Sequence, residues 1–293
     1  MSTVATILSA TGYRLGGGIT ISATSDPSQA TCIQWLNEIA LWITGLCAEY
    51  GSDLGRTIGT IPCIYASISG ASQASPCAIT ATAHGLMSSG TREVLIRSVS
   101  GMTELNDTEY NATYSSANAV NLYSINSATT AIDSSSYTAY ASSGYITKRK
   151  YDTLASYIYT PCQEGWIVDT HTRYPLKLRD ESCLTEYDPV EATQPCEFYI
   201  DGSNNVCFPS YPDDSYVVKI PYYQIPTTLS QTTDTMPFLG LLDNVFIEAL
   251  TIRAQNRDEY DTTIDLKWMS FLNDRARAVI AMRKATISRV TLA

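Results

Sequence analysis

Several things that would announce a chemical function are missing or scarce in this chain. Only two histidines occur in 293 residues, His84 and His171, and none of the eight cysteines (32, 47, 63, 77, 162, 183, 196 and 207) forms a Cys-x-x-Cys pair. Metal centres draw on closely spaced ligands of these types, so no metal site is expected. No Gly-x-Ser-x-Gly elbow and no Ser-His-Asp order occurs, which argues against a serine hydrolase. Gly16-Gly17-Gly18 lacks the Gly-Lys-Ser/Thr ending of a phosphate loop and reads as a helix stop. Charge is sparse, at 16% of residues, and its balance is −10, which excludes electrostatic nucleic-acid binding by the chain as a whole. No run of about 18 apolar residues exists, so no membrane span is expected. The N-terminus has no basic region followed by an apolar one, so no export signal is expected. Thiols packed as small apolar side chains are then favoured over disulfides.

What fills the space is Ser, Thr and Tyr. Twenty Tyr stand against five Phe, and 44% of residues are apolar, enough for two or three units with a core. Rings with one wet end suit protein contacts as well as strand surfaces.

Both ends of the chain carry helical stripes. Val4, Ile7, Leu8, Thr11 and Leu15 share one face. Asp26-Pro27-Ser28-Gln29 offers a cap, a first-turn proline and a capping-box glutamine for a second helix. Its stripe is Ile33, Leu36, Ala40, Ile43 and Cys47, widened by Trp35, Ile39, Trp42 and Leu46. A third helix is expected from near Pro237, through Phe238, Leu241, Leu242, Val245, Phe246, Ala249 and Leu250. A fourth carries Ile264, Trp268, Phe271, Leu272, Ala276, Val279 and Ile280. Folded back on one another, the four predict a four-helix bundle with Ile33, Leu36, Trp42, Ile43, Phe238, Leu242, Val245, Phe246, Leu250, Trp268, Leu272 and Val279 in its core.

Between the helices lie strands. Residues 76–147 are poor in charge, with five or so short strands and turns at His84-Gly85, Ser89-Gly90, Asn106-Asp107 and Ser143-Gly144. Ile158–Pro161, Gly165–Val168 and Tyr174–Leu178 read as further strands. Phe198–Ile200 and Val206–Pro209 flank the hairpin signal Asp201-Gly202-Ser203-Asn204-Asn205, with Tyr216–Tyr223 expected to pair with that hairpin. The fold class expected is therefore α+β: a four-helix bundle from the terminal helices, a small antiparallel β-region, and an inserted small β-barrel or sandwich.

The stretches "YPLKLRDESCLTEYD" (174–188) and "FYIDGSNNVCFPSYPDDSYVVKIPYYQIPTTLSQTTDTMPFL" (198–239), with the helix that follows, resemble the head-to-tail adaptor proteins of short-tailed bacteriophages, the portal adaptors similar to tail tubular protein A. The elements Ala83-His84-Gly85-Leu86, Gly101–Asn106 and Tyr137–Tyr140 resemble the small β-domain called FCCH, which is inserted in many phage structural proteins. The resemblance divides the chain into residues 1–73 (N-terminal helices and first strand), 74–147 (the FCCH-like insert), 148–236 (β-region), 237–285 (helical hairpin) and 286–293 (extended tail).

It implies a homo-oligomeric ring of twelve copies, a dodecamer that joins the portal protein to the tail nozzle or tail tube protein. The ring would prolong the DNA channel, with genomic DNA passing through without specific binding. It also implies a virion protein assembled in the host cytoplasm, no cofactor, no catalysis, and a tail fibre as a further partner of the insert. Arg283, Lys284, Ile287, Arg289, Val290 and Leu292 would dock on the portal, by strand addition to a partner sheet edge. A binding module remains open, reading a receptor or glycan through Tyr110, Tyr114, Tyr123, Tyr137, Tyr140 and Tyr145. So does a hydrolase built on the paired acids Asp213-Asp214, Asp180-Glu181 or Asp258-Glu259.

Overall fold

The computed structural model describes residues 1–16, 18–168, 172–255, 270 and 273–279. Three α-helices are delimited among them, α1 (Val4–Arg14), α2 (Gln29–Glu49) and α3 (Asp243–Gln255), besides the helical residues 273–279. Strands dominate. The first eight after α2 are β1 (Arg56–Pro62), β2 (Tyr65–Ser67), β3 (Gly70–Ala71), β4 (Ala78–Thr80), β5 (Thr91–Arg97), β6 (Thr108–Ser116), β7 (Ala119–Ser124) and β8 (Ser127–Ala131). The next eight are β9 (Tyr145–Thr147), β10 (Lys150–Tyr151), β11 (Ile158–Pro161), β12 (Glu164–Val168), β13 (Arg173–Leu178), β14 (Glu197–Ile200), β15 (Val206–Cys207) and β16 (Val217–Gln224).

The expected four-helix bundle with a small β-region is overturned. The protein is mostly β, with two eight-stranded sheets. Terminal apolar stripes identify helices but not their share of the fold. The strands that enlarge the sheets, such as Gly70–Ala71, Lys150–Tyr151 and Val206–Cys207, are too short to show any periodicity. Most of the fourth expected helix, with Trp268 and Leu272, lies outside the described residues; residues 273–279 are helical.

The chain divides into two compact units. One comprises residues 1–57, 157–160 and 222–293. Here α1 and α2 each pack on α3. Thr3 caps α1 by accepting from the Thr6 amide, and the amides of Val4 and Ala5 donate to the carbonyls of Asp234 and Thr232. These bonds satisfy first-turn amides that have no intrahelical partner. The cap of α2 is Ser28, which accepts from Thr31, rather than Asp26, so the helix starts after Pro27. Asn37 grips the loop at Leu229 twice, donating to its carbonyl and accepting from its amide at 2.9 and 2.7 Å. Before α3, Phe238–Gly240 forms a single 3₁₀ turn where a continuous helix from Pro237 was expected.

The other unit comprises residues 58–156 and 161–221 and holds most of both sheets. One sheet runs β2-β9-β5-β6-β7-β4-β3, with β8 beside β7. Its first and last members belong to one bent stretch, residues 65–71. Midway along it the hydrogen bonding changes sides: the Ile68 amide donates to Gly144 and the Ser69 amide to Thr80. The sheet therefore closes on itself as a small barrel. Ile79, Leu86, Val94, Ile96, Met102, Leu105, Ala112, Leu122 and Ile146 fill its interior. Turns fall at each of the four expected places, with positive φ at Gly85, Gly90, Asp107, Ser143 and Gly144.

The second sheet runs β1-β16-β12-β13-β14-β15-β10, with β11 also on β16. The hairpin β14–β15 forms as expected, with Tyr199 opposite Cys207 and Ile200 opposite Val206. Strand β16 does not join it. It lies against β12 instead, with Trp166 opposite Lys219 and Val168 opposite Val217.

Candidate functional site

The expected bundle-core residues divide as follows. Ile33, Leu36, Ile43, Leu242, Val245, Phe246 and Leu250 are buried, while Trp42, Phe238 and Val279 are half-buried. Phe238 stacks on Phe246 with ring centroids 6.4 Å apart. The helices are also tied by Arg253, which pairs with Glu38 at 2.6 Å and lies over the Trp35 ring. Trp268, Leu272 and all six expected portal-docking residues, Arg283, Lys284, Ile287, Arg289, Val290 and Leu292, lie outside the described residues.

Groups that would carry chemistry are occupied structurally. His84 is buried; one ring nitrogen lies 3.0 Å from the Ser116 carbonyl and the other accepts from the Leu86 amide, so it braces the turn at Gly85. Asp213 accepts from the Tyr216 hydroxyl, and Asp180 caps the 3₁₀ turn Glu181–Glu186. The pair Asp258-Glu259 lies outside the described residues. No disulfide joins the cysteines, and burial pushes the Cys47, Cys63 and Cys207 thiols up to about 12, away from the reactive thiolate. Among the described residues, no group of three or more His, Cys, Asp or Glu is placed to hold a metal ion. No helix among them is long and apolar enough to cross a membrane. A groove of about 490 Å³ in the helical unit is lined by Asp53, Arg56, Gln224, Met236 and Phe238. Its only charged groups, Asp53 and Arg56, lie 3.9 Å apart as an exposed pair.

Two features escaped the sequence reading. The first fastens the barrel to the open sheet. Arg149, between β9 and β10, pairs with Glu109 of β6 at 3.2 Å and with Glu93 of β5 at 3.7 Å, and its guanidinium lies over the Tyr211 ring. The Tyr211 hydroxyl donates to the same Glu109 at 2.8 Å. Beside it, Lys148 is buried, donates to the Leu86 carbonyl and lies over the Tyr151 ring. Burial lowers its pKa, since the apolar surroundings disfavour the ammonium.

The second is the outer face of the open sheet. Side chains alternate along its strands, so Ile61, Gly165, Ile167, Leu176, Val218 and Ile220 are buried on one side. On the other side stand Ile58, Thr60, Trp166, Val168, Arg173, Val217 and Lys219. Ile58 is 55% exposed, Val217 42% and Val168 39%, a grouping of β-branched apolar residues in water. Arg173 lies over the Trp166 ring at 5.6 Å, and Lys219 donates to the Thr60 hydroxyl. Neither signal was visible in the sequence, because both depend on register between strands far apart in the chain.

Residues 162–292 match the model of the SU10 adaptor protein family, a stretch just under half of the chain that holds β12 to β16 and α3. No curated protein matches the chain. The family match suggests a phage adaptor, a structural component of the virion that interacts with other phage structural proteins.

Proposed function

We propose that this chain is the head-to-tail connector of a short-tailed phage, a homo-oligomeric ring between portal and tail that prolongs the DNA channel and performs no catalysis. The observation that carries this reading is the family match over residues 162–292. That range supplies three of the four strands of an outer sheet face whose apolar residues stand in water. A subunit that works in an assembly leaves such surface for its neighbours. The net charge of −10 suits a channel wall along which DNA slides without adhering. The barrel, resembling FCCH, would be carried by the ring as a fixed outer element.

A receptor- or glycan-reading role for the barrel has less in its favour. Stacking platforms need exposed rings, yet Tyr110 is buried and the other five candidate tyrosines are half-buried. Tyr145 is stacked on Tyr65 at 4.4 Å, and the Tyr140 hydroxyl donates to the Ile68 and Ser143 carbonyls.

Native mass spectrometry of the protein, alone and mixed with portal complexes, tests the connector reading. Discrete multiples of the 32.0 kDa chain, or a fixed number of copies added to the portal, are expected. A monomer under both conditions overturns it.

A further inference from the structure

The outer face of the open sheet has a chemical character that selects its partner. Its rows follow from register: Val168 lies between Val217 and Arg173, and Trp166 between Lys219 and Pro175. At the far end Lys177 sits between Glu164 and Glu197, two acids to one base. The near end carries Arg173 and Lys219, with no acid among their registered neighbours in the described residues. Asp213 and Asp214, just before β16 and off these rows, accept from the Tyr216 hydroxyl and the Ser215 amide. On the outer rows of β12, β13 and β16, Arg173, Lys177 and Lys219 outnumber Glu164, a cationic, half-apolar surface on a chain whose balance is −10.

The same chain holds the complement. Residues 180–191, "DESCLTEYDPVE", contain five acids and no base. Asp180, Glu181, Glu186 and Asp188 belong to exposed residues, and Pro189 and Val190 add apolar surface beside them. Arg179 answers Glu186 at 2.8 Å. No ion pair among the described residues engages Asp180, Glu181, Asp188 or Glu191.

We infer that the outer face of β1, β16, β12 and β13 seats the acidic segment 180–191 of a second copy of this chain. This rests on the reading of the protein as a self-assembling adaptor and names the contact by which copies join. Face and segment share no residue, so each copy can use both at once. The contact is then head-to-tail, the type that propagates and closes into a ring when the rotation permits. Four strands about 4.8 Å apart and about four residues at 3.3 Å span a footprint of about 250 Å². That is the centre of an interface, where an Arg stacked on Trp is the expected anchor, with rim contacts around it. Duplex DNA suits the face less well, since two cations neutralise about two phosphates and the rest of the chain repels them.

The test uses the full chain and three variants, with mass measured by sedimentation at low and high salt. Arg173→Glu with Lys219→Glu reverses the face; Glu181→Lys with Glu191→Lys reverses the segment; the third variant carries all four changes. We expect each reversal to weaken self-association at least about tenfold and the four-substitution chain to regain it. Mixing the two reversed chains should also restore assembly, with the chains alternating, because the sound face meets the sound segment and the reversed face meets the reversed segment. Regained assembly also shows that the single reversals failed by charge and not by misfolding. If the face-reversed chain assembles like the parent, the inference fails while the connector reading stands. The inference also fails if the four-substitution chain is folded by circular dichroism yet stays apart. A parent chain that is monomeric alone and with portal complexes removes both. If the face-reversed chain assembles normally but loses binding to a labelled DNA duplex, the face is a phosphate site and the proposed occupant is wrong.

Discussion

The two sheets solve the same problem in opposite ways. Between Tyr65 and Thr147 the barrel closes on itself, and no large apolar residue among those described there is exposed. Closure removes sheet edges and turns every apolar side chain inward. The open sheet, from the same chain and with as many strands, leaves Ile58, Val168 and Val217 at the surface of one face. A barrel satisfied by itself is a finished part, whereas a sheet with one apolar face in water is half of something. The likeness to the adaptor family falls on the open sheet and not on the barrel.

The sharpest way to break this contrast is to place one charge inside each sheet's apolar set. Ile96 is fully buried at the centre of the barrel. Ile96→Asp puts an unpaired carboxylate there and should cost at least about 4 kcal/mol, enough to lose the barrel's cooperative unfolding transition in urea. A barrel that still melts with parental stability would mean that its interior is wet and its closure incomplete.

Next in size is the junction. Glu109→Ala strips the Tyr211 hydroxyl of its acceptor and leaves Arg149 with the more distant Glu93 alone. Leaving largely buried polar groups unsatisfied should cost about 1–3 kcal/mol. If the clamp holds barrel and sheet as one cooperative body, the variant should also split a single urea transition into two. One unsplit transition at parental stability would make the contact incidental.

How much of this was readable in the residues depends on how local the signal was. The hairpin at Asp201–Asn205 is written in its turn: one Asp201 oxygen accepts from the amides of Ser203 and Asn205. The stripe of α2 was equally plain, although its start was not, because Asp26, Ser28 and the intervening proline all carry capping chemistry within three positions. The barrel's turns were marked by glycine or by small polar residues. What stayed hidden was pairing at a distance. Strand β16 alternates visibly, but nothing in Val217–Tyr223 says that its neighbour is β12 and not the hairpin just before it. The outer face could not be recognised until Trp166, Arg173 and Lys219 were brought side by side. For the same reason Glu109, Arg149 and Tyr211 look like three ordinary surface residues in the sequence.

Acid should act on the open sheet through Asp201, which links β14–β15 to β10. Burial raises its pKa, but hydrogen bonds from Lys150, Asn205 and Ser203 outweigh this and hold the carboxyl far below its ordinary value. A depressed folded-state pKa gives stability that is present above the unfolded value, about 3.9, and lost as pH falls toward the folded one. The parent should therefore lose stability below about pH 4 more steeply than Asp201→Asn, in which this link no longer titrates. Equal slopes for the two proteins in acid denaturation would remove Asp201 from the account.

The smallest effect on stability should come from the most telling site. Val217 sits on β16 beside Val168, 42% exposed. Val217→Asp is the same kind of change as Ile96→Asp, an apolar β-branched residue replaced by a carboxylate in a central strand. In water the new charge stays hydrated, so the isolated chain should shift by no more than about 0.5 kcal/mol. In an assembly that covers this face, the same carboxylate would be stripped of water next to the neighbour's acids, and like charges there cost several kcal/mol. A chain that keeps its melting temperature and loses its oligomer would separate folding from assembly in one substitution. A chain that loses both would show that the open face belongs to the fold, and the contrast between the two sheets would then have no functional meaning.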